Sequence, residues 1–129
     1  MIKKYIKILT VLGSFIAFSA QADILLKDNT ELLGRWNLYA EAAKIDGEKK
    51  AVKVEWDFKD NGVLQTTSTD SVGRTKEMKI AIKYAVENGE IKKQTKPGQE
   101  KYESCKVVEK AADNMTLKCT FLFYFLTKI

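Results

Sequence analysis

Residues whose side chains could do covalent or acid–base chemistry are few. Histidine is absent from the 129-residue chain. That removes the commonest general acid–base and the commonest metal ligand together. Cys105 and Cys119 are the only thiols. As thiolates they could attack an electrophile or hold a metal; joined as a disulfide they can do neither. Carboxylates such as Glu55, Asp57 and Glu103 fall at outward-facing or unassigned positions, with no histidine or nucleophile beside them. No catalytic constellation forms, so neither an enzyme nor a cofactor is expected. What remains is contact chemistry, carried by aromatic and aliphatic residues.

The compartment decides how the cysteines are read. The opening "MIKKYIKILTVLGSFIAFSAQA" has Lys3, Lys4 and Lys7, an apolar run from Ile8 to Phe18, and Ala20-Gln21-Ala22. This is the order of a secretory leader: basic start, apolar centre, small-residue cleavage site. The apolar run is shorter than the roughly 20 residues that span a bilayer. Residues 1–22 are therefore expected to be a cleaved signal peptide, residues 23–129 one small domain, and the location periplasmic or secreted. Of the +5 formal charge of the whole chain, three lysines leave with the leader, and the domain keeps +2. Acid and base are interspersed in it, with no basic stripe for nucleic acid. In an oxidising compartment two cysteines are expected to pair.

The elements that must position these residues are strands. "VKVEWDF" places Val54, Trp56 and Phe58 on one face, and "MKIAIKYAV" places Ile80, Ile82 and Tyr84 on one face. This period of two predicts half-buried antiparallel strands. "EIKKQT", "KYESCKVVEK" and "MTLKCTFLFYFLTK" supply three or four more. "YAEAAKI" is the only stretch with a helical look, and it reads better as the end of the first strand, entering a loop at Asp46-Gly47.

Three turns set registers. At "KDNGVL" a two-residue Asn61-Gly62 turn would pair Asp60 with Val63. A three-residue loop instead pairs Lys59 with Val63 and Phe58 with Leu64, and the burial pattern favours it. Asn88-Gly89 pairs Val86 with Ile91. A three-residue loop of Ala111, Ala112 and Asp113 pairs Lys110 with Asn114, Val107 with Leu117, and Cys105 with Cys119. The apolar and cysteine pairings agree, which predicts a cross-strand disulfide. Seven or eight strands joined by hairpins, with no long crossover, predict an all-β fold. An up-and-down antiparallel β-barrel of about eight strands fits the length, with a small open sandwich as the alternative.

In order and spacing these segments resemble the small bacterial lipocalin-like domain family. Gly34-Arg35-Trp36 looks like its G-x-W on strand one, and "WDFKDNGVL" like its F-x-x-D/N-G hairpin. "IAIKYAVENGEI", "DNMTLK" and "FYFLTKI" resemble the later segments, so the likeness runs over about residues 31–129. It implies that Trp36 closes one end of the barrel and that Lys128, from the last strand, covers its ring as a cation over an indole face. Gly34 would then let another backbone approach closely.

The candidate ligand pocket gathers Val54, Trp56 and Phe58, then Ile80, Ile82 and Tyr84, then Leu117, and finally Phe121, Phe123 and Phe125. A small apolar ligand would fit among them if space remains; a core filled by its own side chains is the alternative. The last strand is apolar on both faces. With Phe121, Phe123 and Phe125 turned inward, Leu122, Tyr124 and Leu126 form an outer face, covered either by residues 23–33 or by a partner protein or second copy. The polar stretch 66–77 is a connector or a loop over the barrel mouth. Three functions follow: an exported binding protein for a small apolar or amphipathic ligand, a protein-binding module such as an inhibitor of an exported enzyme or a toxin-neutralising factor, or an envelope assembly factor.

Overall fold

Eight antiparallel strands close into a barrel in chain order in the computed structural model, which describes residues 24–69 and 76–129. They are β1 (Gly34–Ala42), β2 (Lys50–Phe58), β3 (Val63–Ser68), β4 (Met78–Glu87), β5 (Glu90–Gln94), β6 (Tyr102–Ala111), β7 (Asn114–Lys118) and β8 (Phe123–Lys128). β1 pairs with both β2 and β8, so the barrel has neither first nor last edge. The expected leader at 1–22 lies outside the described residues, as does half of the 66–77 stretch, residues 70–75; residues 66–68 belong to β3. No helix interrupts the described chain, and "YAEAAKI" divides between β1 and a loop.

The first two hairpins form as their turn residues dictate. Phe58 pairs with Leu64, the Lys59 amide donates to Val63 O at 2.9 Å, and Gly62 takes φ +83° at the bulge position. Asn88 and Gly89, at φ +53° and +81°, make the tight turn that pairs Val86 with Ile91.

The third hairpin differs. Ala112-Asp113 is a two-residue turn that pairs Ala111 with Asn114 and Lys110 with Met115, so the expected Lys110–Asn114 pair does not form. Ala112 adopts φ +49°, a left-handed conformation costing a non-glycine residue roughly 1–2 kcal/mol. The one-residue offset is absorbed between Val107 and Glu109, where the register shifts and returns Val107 to Leu117. Apolar pairing deeper in the barrel thus dominates over turn length. The disulfide Cys105–Cys119 forms one step farther out, with both cysteines buried.

β8 is oriented opposite to the expectation. Leu126 is buried in the main core and Tyr124 packs against it, whereas Phe125 belongs to a separate cluster with Ala40, Ala42 and Phe123. The reason is register. Trp36 pairs with Lys128, which fixes Lys128, Leu126 and Tyr124 on the inner face by period two. Phe121 precedes the strand and is 86% exposed. The outer face of β8 is therefore that of Phe123 and Phe125, and Leu122, Tyr124 and Leu126 do not make an outer surface. It is covered from within: a register shift between Leu38 and Ala40 carries Ala40 and Ala42 to the outside, beside Phe125. Lys49 lies 4.2 Å from the Phe125 ring, and Tyr39 flanks it.

Residues 24–33 cover an end of the barrel instead of the face of β8. Ile24 bridges to Val107, the Leu26 amide donates to Gly89 O at 3.1 Å, and Leu26 and Leu32 are buried in the main core.

Candidate functional site

One end of the barrel is shut. Trp36, only 2% exposed, donates its indole N–H to Leu32 O at 2.8 Å. The Lys128 ammonium sits 4.7 Å from the indole ring and also donates to Leu33 O. Gly34 has the role of leaving room: a Cβ there would lie 2.9 Å from Lys128 Nζ, and φ is +107°. What approaches is thus the lysine side chain and not another backbone. Above this plug, Tyr84 donates to Lys59 O at 2.6 Å and accepts from Asn29 Nδ2 at 3.2 Å. Burial pushes the Tyr84 phenol up, with Asp60 adding to the rise and the Asn29 hydrogen bond opposing it.

From the plug an aromatic ladder climbs the interior. Tyr84 meets Phe58 at 5.1 Å, Phe58 meets Trp56 at 6.0 Å, and Trp56 meets Tyr124 at 5.6 Å. The first two contacts are edge-to-face, the arrangement aromatic quadrupoles favour. Phe58, Leu64 and Leu117 have essentially no accessible surface, so no water-sized void touches them. Among the expected pocket residues, Phe58, Ile82, Tyr84 and Leu117 are buried core, and Trp56, 6% exposed, is the buried residue at the top of it. Val54 and Ile80, only partly buried, line the opposite end toward the loops. Phe121, Phe123 and Phe125 are outside the barrel and line no interior space.

That upper end holds charges the aromatic pattern did not announce. Lys93, buried, points inward from β5, and its ammonium lies 2.9 Å from Glu103 Oε2 and 5.7 Å from the Trp56 ring. Glu103 Oε1 accepts the Thr120 amide at 3.1 Å, tying β6 to the loop after Cys119. Burial pushes the Glu103 carboxyl up, but the Lys93 hydrogen bond and charge, with the Thr120 contacts, outweigh it and hold it below the ordinary carboxylate range. Tyr124 is pushed up by burial, then by the charges of Glu103 and of Glu41, its partner across from β1. Lys93 and Glu41 are not singled out in the sequence, and Glu103 stands there only as a carboxylate at an unassigned position. The Asn88-Gly89 register already implies the first, since Val86 opposite Ile91 places Tyr84 opposite Lys93.

A cleft of about 360 Å³ adjoins this group, bounded by Glu103, Tyr124, Leu122, Phe121, Tyr102 and neighbouring loop residues. The Cys105 and Cys119 sulfurs lie with a Glu103 oxygen within 4.8 Å of one another. The sulfurs are bonded to each other, which leaves no thiolate for a metal. Trp56, Tyr124, Lys93 and Glu103 come from four strands, β2, β8, β5 and β6, so only the closed barrel brings them together. The arrangement offers an aromatic wall, spare ammonium donors on Lys93 and a charged carboxylate, which suits binding a molecule with apolar and polar parts.

The fold is that of lipocalin-like proteins. A crystal structure of a lipocalin-like protein from Bacteroides uniformis ATCC 8492 matches with a TM-score of 0.62 and 18% identity, over 77% of this chain and 99% of its own. An uncharacterized protein from Bacteroides eggerthii DSM 20697 matches with a TM-score of 0.59 and 17% identity, over 75% and 98%. No family model matches the sequence, and no curated protein matches it.

Proposed function

We infer that the protein is an exported binding protein for a small amphipathic molecule, held at the upper end of the barrel and not deep within it. The observation that carries this reading is the inward group of Trp56, Tyr124, Lys93 and Glu103 above a packed core. A ligand's apolar part would stack on Trp56 and Tyr124 between Val54 and Ile80. Its polar part would meet Lys93 and Glu103, whose ion pair has donors to spare. The packed lower half limits the ligand to the depth of Trp56. Binding fits better than catalysis, because the inner charges are locked in a pair, and the Tyr84 hydroxyl is tied to the plug. The leader and the disulfide support a periplasmic or secreted location. Native mass spectrometry of protein taken from its own host's envelope tests the reading. A co-purifying small mass, lost on Lys93→Met, supports it. Apo protein throughout, with no small molecule retained at any concentration, counts against it.

A further inference from the structure

β4 is not paired along its whole length on both sides. Met78 to Lys83 pair with β3, and Tyr84 to Glu87 pair with β5. No strand among the described residues pairs with the second edge of Met78–Lys83. The Lys83 amide there is taken by a side chain, Gln94 Oε1 at 2.7 Å, and Gln94 Nε2 donates to Gln99 O at 2.8 Å. Tyr84 N donates toward β3, to Gly62 O at 2.9 Å. Backbone groups alternate sides along a strand, so the amides and carbonyls of Lys79 and Ala81 face the same side as the Lys83 amide. A cleft of about 750 Å³ reaches this edge at Ala81, Ile82 and Lys83, and a second of about 540 Å³ adjoins it at Val63, Lys83 and Tyr102. In the first, Ala81, Ile82 and Lys83 form one wall; Gln94, Gln99, Glu100 and the half-exposed Tyr102 form the other, so the cationic side of the cleft is that of β4.

We propose that this open edge of β4 is a docking site for an extended peptide strand of alternating acidic and apolar residues. Backbone groups of Lys79 and Ala81 would supply the ladder, and alternate side chains the selectivity. On the outer face the added strand meets Lys79 and Lys83, both exposed, which favours carboxylates. On the other face it continues the row of Ile80 and Ile82, which favours apolar residues. The same lysines disfavour a second copy of this chain. Antiparallel pairing of two β4 edges centred on Ala81 would set Lys79 opposite the other copy's Lys83, like charges directly across a ladder. The edge adjoins the proposed ligand site at Ile80 and Tyr102, but the backbone groups of Lys79 and Ala81 that would carry the ladder take no part in that site, so the two are tested independently.

The test uses the full oxidised domain, a fluorescently labelled heptapeptide alternating glutamate and valine, and amide hydrogen exchange. Saturable binding should occur, with the amides of Lys79 and Ala81 exchanging fast in the free protein and slowing on peptide addition. The double variant Lys79→Glu/Lys83→Glu should weaken the peptide at least tenfold and improve binding of the matching lysine–valine peptide. Both substitutions are on the surface, and a retained thermal unfolding transition verifies folding. The proposal is overturned by any of three results. One is protection of both amides in the free monomer, which means the chain covers its own edge. Another is protection that appears only with rising protein concentration, which means self-pairing. The third is peptide binding that leaves these amides unprotected.

Discussion

Replacing Lys93 by methionine should expose how the inner end of the barrel is held. The side chains of Lys93 and Glu103 are 11% and 17% exposed. Removing the ammonium leaves Glu103 charged, largely desolvated, and supported only by Thr120. Breaking a buried pair by deleting one partner costs about 3–5 kcal/mol; some water still reaches both groups here, so about 2–4 kcal/mol is expected at pH 7. The double variant Lys93→Met/Glu103→Leu should recover most of that, because two apolar side chains leave no orphaned charge. The pH dependence should change sign. In the parent, Glu103 is held below the ordinary carboxylate range. Its contribution is therefore present above the unfolded carboxylate pKa and is lost as pH falls through the folded value. In Lys93→Met, burial acts with little to oppose it and the folded pKa rises. The variant's deficit should then shrink on acidification as the carboxyl takes up a proton. Urea unfolding followed by tryptophan emission from pH 3 to 8 measures both effects. A single variant within about 0.5 kcal/mol of the parent, or a double variant no better than the single, refutes the reasoning.

Gly34→Ala should cost about 1–3 kcal/mol, since φ +107° strains any side chain and the new Cβ collides with Lys128 Nζ at 2.9 Å; a thermal melt suffices to detect it. Phe58→Ala should cost roughly 3–5 kcal/mol, as in a filled core, whereas Ile80→Ala at the half-open upper end should cost distinctly less. Cys105→Ser/Cys119→Ser should lower stability by about 2–5 kcal/mol, and thiol titration of the exported protein should find no free cysteine. The intact mass of the exported protein should begin at Asp23, and full-length chain in the inner membrane contradicts the leader.

Much of the fold is legible because period two and turn chemistry agree. Phe58 opposite Leu64 and Val86 opposite Ile91 follow from where glycine allows a positive φ. Cys105 and Cys119 are bridgeable because Val107 must meet Leu117, and that apolar pair survives even though the turn is one residue shorter than expected. The compensating shift after Val107 carries no glycine or proline to announce it. β8 is harder, since both its faces are apolar. Its phenylalanines argue for one orientation, and Lys128 over Trp36 enforces the other, which also buries Leu126 and turns Tyr124 inward. The register shift in β1 that carries Ala40 and Ala42 outward has no mark in the sequence. The charged half of the candidate site escapes an aromatic search because Lys93 and Glu103 look like surface residues until both partners of the ladder are placed. The open edge of β4 depends on how the strands stagger around the barrel, a property of the closed fold and of no single segment.

The central claim is that a ligand enters only as far as Trp56, with Trp36 sealed below. Two single-tryptophan proteins test it directly: Trp36→Phe, which retains Trp56, and Trp56→Phe, which retains Trp36. Each is titrated with a long-chain fatty acid and, separately, with an apolar amine of the same length. The account predicts saturable quenching or a spectral shift of Trp56 by at least one of these probes, weakened about tenfold or more by Lys93→Met, with Trp36 emission unchanged. A response from Trp36 equal to that of Trp56, or none from Trp56 with either probe, contradicts it.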